Sequence, residues 1–504
     1  MKSIIGDADS GILTLWGYRS SNYITALIIT QWSALMNSIS RCGARLVFSL
    51  LLFLVVDLAT NSVGTPGALG QNIRPVTITR LFWQDRETAK LSYADLVTTN
   101  KWNLNRGWVS GFPGVDVDTQ SIHSISQSGG MVMVGIRKQT DAAGSGWVSI
   151  DPGAFEEPHG SHNHWKYSRL PAVTNQQLAV QQGNPATLDV FDGTFYVSME
   201  GGTESGDAVL QVAPQQLKMK AASNQVRAFS GGGGGPVAVV GSSVCYASYS
   251  DAQGDDIGRV DVVNLRGAGD QPSYSFKVPG GAIRAVTTNS GKVFFATADG
   301  VYWVNADLTA SQNAASVVVN SVQAAQAELS EDRLVTQSFA NHRNWVVFTS
   351  GSGSNAGLYL INAAVANPYL AKRPVSVAEG LTLTAPEVVL SLGKRYALVF
   401  HDRLDLESKV PEQLTVWELD PNRDQDFSDA TIRLTMPVGA SKVNGGQGHH
   451  SVCFDAFGRH AIITNPGDGV LTVLSLQNLK VQAKFQVGGI PEGTIAVGAA
   501  EHFH

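Results

Sequence analysis

The stretch FEEPHGSHNHWKY, at residues 155–167, combines residue types that bind divalent metals. Three of the chain's 11 histidines lie close together in it, at His159, His162 and His164, and Glu157 precedes them. Zinc takes neutral imidazole nitrogens and carboxylate oxygens, usually four ligands in a tetrahedron. Pro, Gly and Asn predict a mobile loop on which these side chains can converge, and the absence of thiolates favours Zn(II), Cu(II) or Ni(II) over Cu(I). The stretch therefore predicts a metal site formed by these four residues.

Other interpretations of this loop stay open. Glu156 could supply the carboxylate in place of Glu157. The loop could also be an ordinary solvated one whose C-terminal end is anchored on the protein by Trp165 and Tyr167. A third interpretation is pH sensing, because the ordinary pKa of imidazole lies close to physiological pH.

A strand-and-turn pattern recurs along the chain and shows what must carry this loop. Each copy has a short apolar strand, a Gly turn, a strongly apolar strand, a polar loop and another strand, with a spacing of about 40 to 55 residues. The seven copies cover residues 122–150, 186–212, 237–263, 282–304, 338–361, 388–419 and 451–476. A period of this length in strand-rich segments is typical of a β-propeller, in which each copy is a four-stranded blade.

The two ends of the repeating region supply one more blade. EGTIAVGA, at residues 492–499, has the pattern of an inner strand, and residues 77–96 contain two outer strands. Pairing these ends closes the ring and removes the exposed sheet edges. The sequence therefore predicts an all-β fold with one propeller domain over residues 76–500. We expect eight blades, with seven as the alternative.

The last repeat resembles a known type of propeller blade. Residues 451–498 contain GRHAIITN, then GDGVLTVL, then VGGIPEG, and this order is similar to the YVTN-type propeller repeat. The resemblance implies the propeller fold. It implies little about function, since propellers host many functions.

A second resemblance concerns function. EEPHGSHNHWKY followed by GNPATLDVFDGTFYVSMEG is similar to exported propellers that act as zinc chaperones for zinc importers. In that family a loop rich in histidine and acidic residues precedes a blade that begins with a short apolar strand. The family also carries metal-binding histidines on propeller loops, which GHHSVCFD at residues 448–455 resembles. The resemblance implies zinc as the bound metal and a protein partner that receives it.

A second group of histidines is predicted near the mouth of the central channel. His449 and His450 come just before an inner strand, His123 lies on another inner strand, and His401 with Asp402 ends the strand YALVF. A channel-mouth site formed by His123, His401 and His450 is one hypothesis. Because successive strand side chains point to opposite faces, we do not expect His449 and His450 to share a metal. Each of these histidines could instead be an ordinary hydrogen-bonded residue.

Composition and the N-terminal region limit the classes of function. The formal net charge is −6, which predicts no nucleic-acid partner. Within a leader at residues 1–70, LVFSLLLFLVV at residues 46–56 follows two arginines and is shorter than the roughly 20 residues of a membrane span. We therefore expect a signal peptide, no other integral membrane segment, and export to the periplasm or the extracellular space. An uncleaved anchor and a start at Met36 are alternatives.

Two cysteines follow the leader, and each lies in an apolar strand-like segment. Cys245 and Cys453 are far apart in the chain, so we expect two buried free thiols and no disulfide framework. The histidine-rich tail EHFH, at residues 501–504, could add metal ligands or be a disordered end.

Three functions are compatible with these patterns. The first is an exported monomeric propeller that binds zinc at the histidine loop and acts as a metallochaperone. The second is an enzyme of the lactonase or redox type with a channel-mouth site. The third is a protein-interaction scaffold, which would expose a broad apolar patch. The sequence lacks G-x-S-x-G, P-loop and H-E-x-x-H motifs, so no catalytic residue is assigned.

Overall fold

The computed structural model describes residues 75–159, 162–202, 206–218, 226–249, 254–324, 338–443 and 448–498. The predicted leader and the tail at residues 501–504 lie outside the described residues. Within the described residues almost all regular structure is β-strand, and the only α-helix among them is α1 (Pro214–Lys218). No helix in this part of the chain is long and apolar enough to cross a membrane.

The strands form one two-stranded sheet and eight larger sheets, which we number as blades 1 to 8. Blade 1 contains β1 (Val76–Asp85), β2 (Lys90–Thr98), β3 (Trp102–Trp108) and β36 (Pro491–Val497). Blade 2 contains β4 (Gln120–Ser128), β5 (Met131–Lys138), β6 (Ser145–Asp151) and β9 (Ala172–Ala179), and a separate two-stranded sheet contains β7 (Ala154–His159) and β8 (His162–Tyr167). Blade 3 contains β10 (Asn184–Phe191), β11 (Thr194–Gly202), β12 (Gly206–Val212) and β13 (Arg227–Ser230). Blade 4 contains β14 (Gly234–Val240), β15 (Val244–Tyr249), β16 (Arg259–Asn264) and β17 (Tyr274–Lys277).

Blades 5 and 8 have four strands, and blades 6 and 7 have five. Blade 5 contains β18 (Ala285–Asn289), β19 (Lys292–Ala296), β20 (Val301–Asn305) and β21 (Asn320–Ser321). Blade 6 contains β22 (Gln323–Ala324), β23 (Ala340–His342), β24 (Trp345–Ser350), β25 (Gly357–Asn362) and β26 (Tyr369–Pro374). Blade 7 contains β27 (Leu381–Leu383), β28 (Glu387–Ser391), β29 (Lys394–Arg403), β30 (Gln413–Glu418) and β31 (Thr431–Pro437). Blade 8 contains β32 (Val452–Phe454), β33 (His460–Asn465), β34 (Val470–Ser475) and β35 (Lys480–Gln486). Short 3-10 turns lie at Gly254–Asp256, Ala314–Ser316, Gly353–Asn355, Phe427–Asp429 and Pro466–Asp468.

Burial explains why the second and third strands are the most apolar. In β24, WVVFTS, every residue is buried, because neighbouring blades cover both faces of the sheet. The outer strand β35, KVQAKFQ, instead has only exposed and half-buried positions. The two thiols lie in this core, as predicted: Cys245 and Cys453 are buried and free, and burial raises the pKa of each to about 12.

The ring is closed by the two ends of the propeller, which confirms the prediction of eight blades. Strand β36 pairs antiparallel with β1, so that Arg80 lies opposite Val497 and Phe82 opposite Ile495. The innermost strands contact one another around the axis, including β36 with both β32 and β4. They surround a central cavity of about 370 Å³.

Strand order gives the propeller two distinct faces. We call the face where the innermost strands begin the top and the face where they end the bottom. Consecutive strands of the four-stranded blades are antiparallel, so the connection between the third and fourth strands of these blades lies at the bottom. The connection from one blade to the next lies at the top, as does the end of each second strand. These positions separate the predicted functional residues into two groups.

A buried arginine ties blade 1 to the base of the β7–β8 hairpin. Arg80 is 2% exposed, and its Nε and Nη2 atoms donate to the Asp95 carboxylate over 2.6 and 2.9 Å. Its Nη1 atom donates to the carbonyls of Pro152 and Arg169, which flank the hairpin on either side. One guanidinium therefore fixes both ends of the hairpin to the ring-closing blade.

We expect Arg80→Met to destabilise the fold. The substitution leaves a partly buried carboxylate and two carbonyls without their donor, and breaking such a pair typically costs about 3 kcal/mol or more. Urea unfolding should therefore show a clearly lower midpoint for this variant. Arg284→Met, which changes an exposed arginine, is the control and should behave like the wild type. Equal midpoints for Arg80→Met and the wild type would contradict this role.

Candidate metal centre

The histidine stretch folds as a β-hairpin, where the sequence predicted a mobile loop. Strands β7 and β8 pair antiparallel, with His159 opposite His162 and Glu157 opposite His164. In sequence terms, two short strand segments separated by the dipeptide Gly-Ser are typical of a β-hairpin. The pattern was missed because these strands are polar and carry no alternating core positions. The hairpin leaves blade 2 between its third and fourth strands and so lies at the bottom face.

The register places all four predicted ligands on one face of the hairpin. Residues two apart in a strand share a face, as do residues directly paired across strands. That face holds positions 157, 159, 162 and 164, together with Phe155 and Lys166. Directly opposed Cβ atoms lie about 4.5 to 5.5 Å apart.

The other face of the hairpin is anchored on the propeller by Trp165 and Tyr167, the two residues to which the solvated-loop interpretation gave this role. The Trp165 ring lies against Gly498, where a Cβ would come within 2.6 Å of it. The Tyr167 hydroxyl donates to the Val497 carbonyl over 3.0 Å. Burial raises the pKa of Tyr167 to about 12, so the hydroxyl stays a neutral donor. The strand that closes the ring therefore also supports the hairpin.

The ligand face meets solvent and one neighbouring blade. The side chains of Glu157 and Lys166 are 50% and 52% exposed and form an ion pair of 3.2 Å. Exposed pairs of this kind contribute little stability, so a metal can replace the ammonium at low cost. The His164 ring meets the Phe457 ring of blade 8 edge-on, with 6.2 Å between the centroids.

A second group of possible ligands lies at the top face. His450, Asp402 and Glu412 are all buried, and one ligand atom from each lies within 4.8 Å of the others. Among the described residues this is the one such group of three. Asp402 comes from the end of β29, Glu412 from just before β30, and His450 from just before β32. The group therefore joins blade 7 to the start of blade 8.

Hydrogen bonds already occupy both ring nitrogens of His450. Its Nδ1 atom lies 2.6 Å from Asp402 Oδ1, and its Nε2 atom lies 2.9 Å from the Gly439 carbonyl. A carbonyl only accepts, so Nε2 carries a proton, and the short contact to the carboxylate places another on Nδ1. Burial alone would lower the pKa of His450, but its hydrogen bond and charge interaction with Asp402 raise it overall. The ring is thus an imidazolium stacked on Phe400, with centroids 4.9 Å apart.

The two carboxylates are also satisfied without a metal. Burial would raise the pKa of Asp402, but hydrogen bonds from His449 and His450 lower it overall. Glu412 accepts hydrogen bonds from the backbone N–H of Arg403 over 2.9 Å and of Ser441 over 2.8 Å. To bind a metal, His450 would have to give up a proton and a hydrogen bond. In this arrangement the group is a buried cluster of charged residues that links blades 7 and 8. We call His450, Asp402 and Glu412 together the His450 lock.

The remaining predicted histidines do not converge on one site. His401 lies on the opposite face of β29 from Asp402, where its Nε2 atom meets Thr415 Oγ1 at 3.0 Å. His123 donates to the Ala186 carbonyl over 2.9 Å and lines a separate cavity of about 310 Å³ between blades 1 and 2. Burial lowers the pKa of both histidines. The structure therefore does not bring His123, His401 and His450 together.

His449 and His450 do converge, on the same carboxylate. His449 Nδ1 lies 3.4 Å from Asp402 Oδ2, while its side chain is 63% exposed. The alternation argument fails here because both residues precede β32 and are not in a strand. Glu412 was missed altogether. Its position in a polar loop gives no sequence signal that it packs under Ser441.

The closed ring of eight sheets, six with four strands and two with five, defines this chain as an eight-bladed β-propeller. Among solved structures it is similar to a crystal structure of Citrobacter koseri AztD, with a TM-score of 0.53 and 14% identity over 85% of this chain and 100% of that one. The structure of apo AztD from the same organism gives a TM-score of 0.52 and 14% identity, over 84% and 98% of the two chains. No protein-family model matches the sequence, and no curated protein matches it. At this identity the similarity establishes the fold alone.

We predict that the His450 lock makes stability depend on pH above neutrality. A histidine whose folded pKa is raised adds stability that is complete below the unfolded pKa, near 6.5, and is lost as pH rises through the folded pKa. The free energy of unfolding of the wild type should therefore fall relative to His450→Gln between pH 6.5 and 9. The loss should be about 1.4 kcal/mol per pKa unit of the shift.

His401→Gln is the control for this measurement. The pKa of His401 is lowered, so its effect on stability is confined to pH below about 6.5. Above that pH its unfolding curve should run parallel to the wild type. If the His450→Gln curve also runs parallel to the wild type up to pH 9, the imidazolium assignment is wrong.

Proposed function

We propose that this chain is an exported eight-bladed β-propeller that binds a divalent transition metal, with zinc as the first choice, on the β7–β8 hairpin. The observation that carries the proposal is the hairpin register, which gives His159, His162, His164 and Glu157 positions on one face. The opposite face is held on the propeller by Trp165. The ligands would thus project from a supported element.

The hairpin is the better candidate because its chemistry suits reversible binding. Three imidazoles and a carboxylate make a complete ligand set for tetrahedral zinc. Glu157 is half exposed and has only a surface ion pair to exchange. In the lock at His450, by contrast, burial and hydrogen bonds already stabilise the charged groups without metal.

The position of the hairpin bears on the metallochaperone hypothesis. It lies at the bottom face, whereas the His450 lock lies at the top. Innermost strands such as β10, with eight residues, make the blade about 26 Å long. Direct passage from the hairpin to His450 is therefore not favoured. We propose that metal leaves the hairpin to a protein partner that docks on the bottom face.

Two parts of this proposal, export of the protein and the choice of zinc as the metal, are supported by sequence patterns. The apolar run at residues 46–56, after two arginines, supports a signal peptide, and the order of the motifs resembles exported zinc-chaperone propellers. The enzyme hypothesis depended on His123, His401 and His450, which lie in separate environments.

Zinc titration by calorimetry at neutral pH tests the proposal. We expect the wild type to bind zinc with micromolar affinity or better, and the variant His159→Ala/His162→Ala/His164→Ala to lose that site. Binding should release protons, because only the neutral imidazole ligates metal. Asn163→Ala changes the opposite face of the hairpin and should bind like the wild type. The proposal fails if the wild type binds no zinc or if the triple variant binds equally well.

A pair of adjacent glutamates tests the hairpin face directly. Glu157 lies on the ligand face, while Glu156 is paired with Trp165 on the other face. We expect Glu157→Gln to weaken zinc binding about 10-fold or more, and Glu156→Gln to leave it nearly unchanged. Competition against a chromogenic zinc chelator measures both affinities. A larger effect of Glu156→Gln would show that the ligand face is misassigned.

A further inference from the structure

The top face contains a cavity that the metal site does not use. It has a volume of about 790 Å³ and lies among blades 6, 7 and 8. Small-molecule sites in proteins commonly have volumes of about 300 to 1,000 Å³. The walls combine apolar side chains such as Phe400 and Val452 with hydroxyls such as Thr382. The charged residues of the lining decide which ligand suits it.

Lys442 is a buried cation in this lining. The residue is 7% exposed, and its Nζ atom donates to the Gly448 carbonyl over 3.0 Å. No described carboxylate oxygen lies within 4.0 Å of that ammonium. The carboxylate of Glu492 is close enough to interact with it but bonds to Arg86 at 3.3 Å. An ammonium has three donors, and a buried one without an anion is costly.

Arg403 is a second cation of the same wall. Its Nε atom donates to the Val410 carbonyl over 3.3 Å and lies 3.9 Å from Glu412. Within the described residues its two terminal nitrogens have no hydrogen-bond partner. A guanidinium presents donors in a fork that fits a carboxylate or a phosphate. The exposed ring of His449 also lines the cavity.

We infer that this cavity binds a small organic anion, with Lys442 and Arg403 holding its carboxylate or phosphate group. A metal cation is disfavoured there, because both of these side chains are positively charged. Glu387 is the one carboxylate among the lining residues, while Glu412 lies 3.9 Å from Arg403 and Glu492 interacts with Lys442 outside the lining. The apolar walls would hold the carbon skeleton of the ligand. This site does not depend on the hairpin, which lies on the other face.

Thermal unfolding with and without anions tests the inference. The probes are acetate, succinate, citrate and inorganic phosphate, each compared with chloride at equal ionic strength and pH. At least one probe should raise the unfolding temperature of the wild type in a saturable way, since a ligand that binds only the folded state stabilises it. Its apparent affinity should fall at least 10-fold in Lys442→Met, which keeps the side-chain length and removes the charge. Lys484→Met changes an exposed lysine of blade 8 and should respond like the wild type.

Three results distinguish the outcomes. A saturable shift that Lys442→Met loses supports the site, and the effective probe shows whether carboxylate or phosphate is preferred. No saturable shift in the wild type, or an equal shift in Lys442→Met, overturns the inference. If Lys442→Met does not fold, Arg403→Met carries the same test. Zinc titration of the variant checks that the other face is intact.

Discussion

Pairing of β36 with β1 is the constraint on which the rest of the molecule depends. It converts a row of sheets into a ring, so that each innermost strand has a neighbour on both sides. It also brings Val497 and Gly498 to the bottom face, where Tyr167 and Trp165 rest on them. Closure of the fold and support of the candidate metal site are therefore the same event. A change that separates β36 from β1 would also disturb the contacts of Tyr167 and Trp165 with Val497 and Gly498.

The buried charges are compensated differently at the two faces of the propeller. At the bottom face, Asp95 neutralises the charge of Arg80 and backbone carbonyls accept its other hydrogen bonds, so the exposed hairpin is left to interact with solvent and ions. At the top face, His450 and Asp402 form an internal pair that needs no outside ion. Lys442, close to that pair, has a carbonyl as its partner. The histidine pair is thus complete in itself, whereas the lysine favours an external anion.

The fold could be predicted because blades repeat a burial pattern that is visible in composition. Fully buried strands such as β24 are visible in the sequence as apolar runs. The segment EGTIAVGA has the pattern of an inner strand, which allowed the ring-closing strand β36 to be predicted. The hairpin strands could not be recognised, because they pair with each other and not with a blade. The sequence allowed only part of the buried group at His450 to be predicted. Glu412 and Lys442 are buried charges, which sequence patterns normally assign to the surface.

The hairpin is an insertion that the blade does not need for its own pairing. Strand β6 pairs directly with β9, with Ile150 opposite Val173 and Asp151 opposite Ala172, as if residues 154–167 were not there. Mutations on the ligand face can therefore accumulate without changing the hydrogen bonds of any blade. Natural variation can retune or exchange the binding element while the scaffold stays constant. The same modularity makes this connection a suitable place to graft a different recognition hairpin.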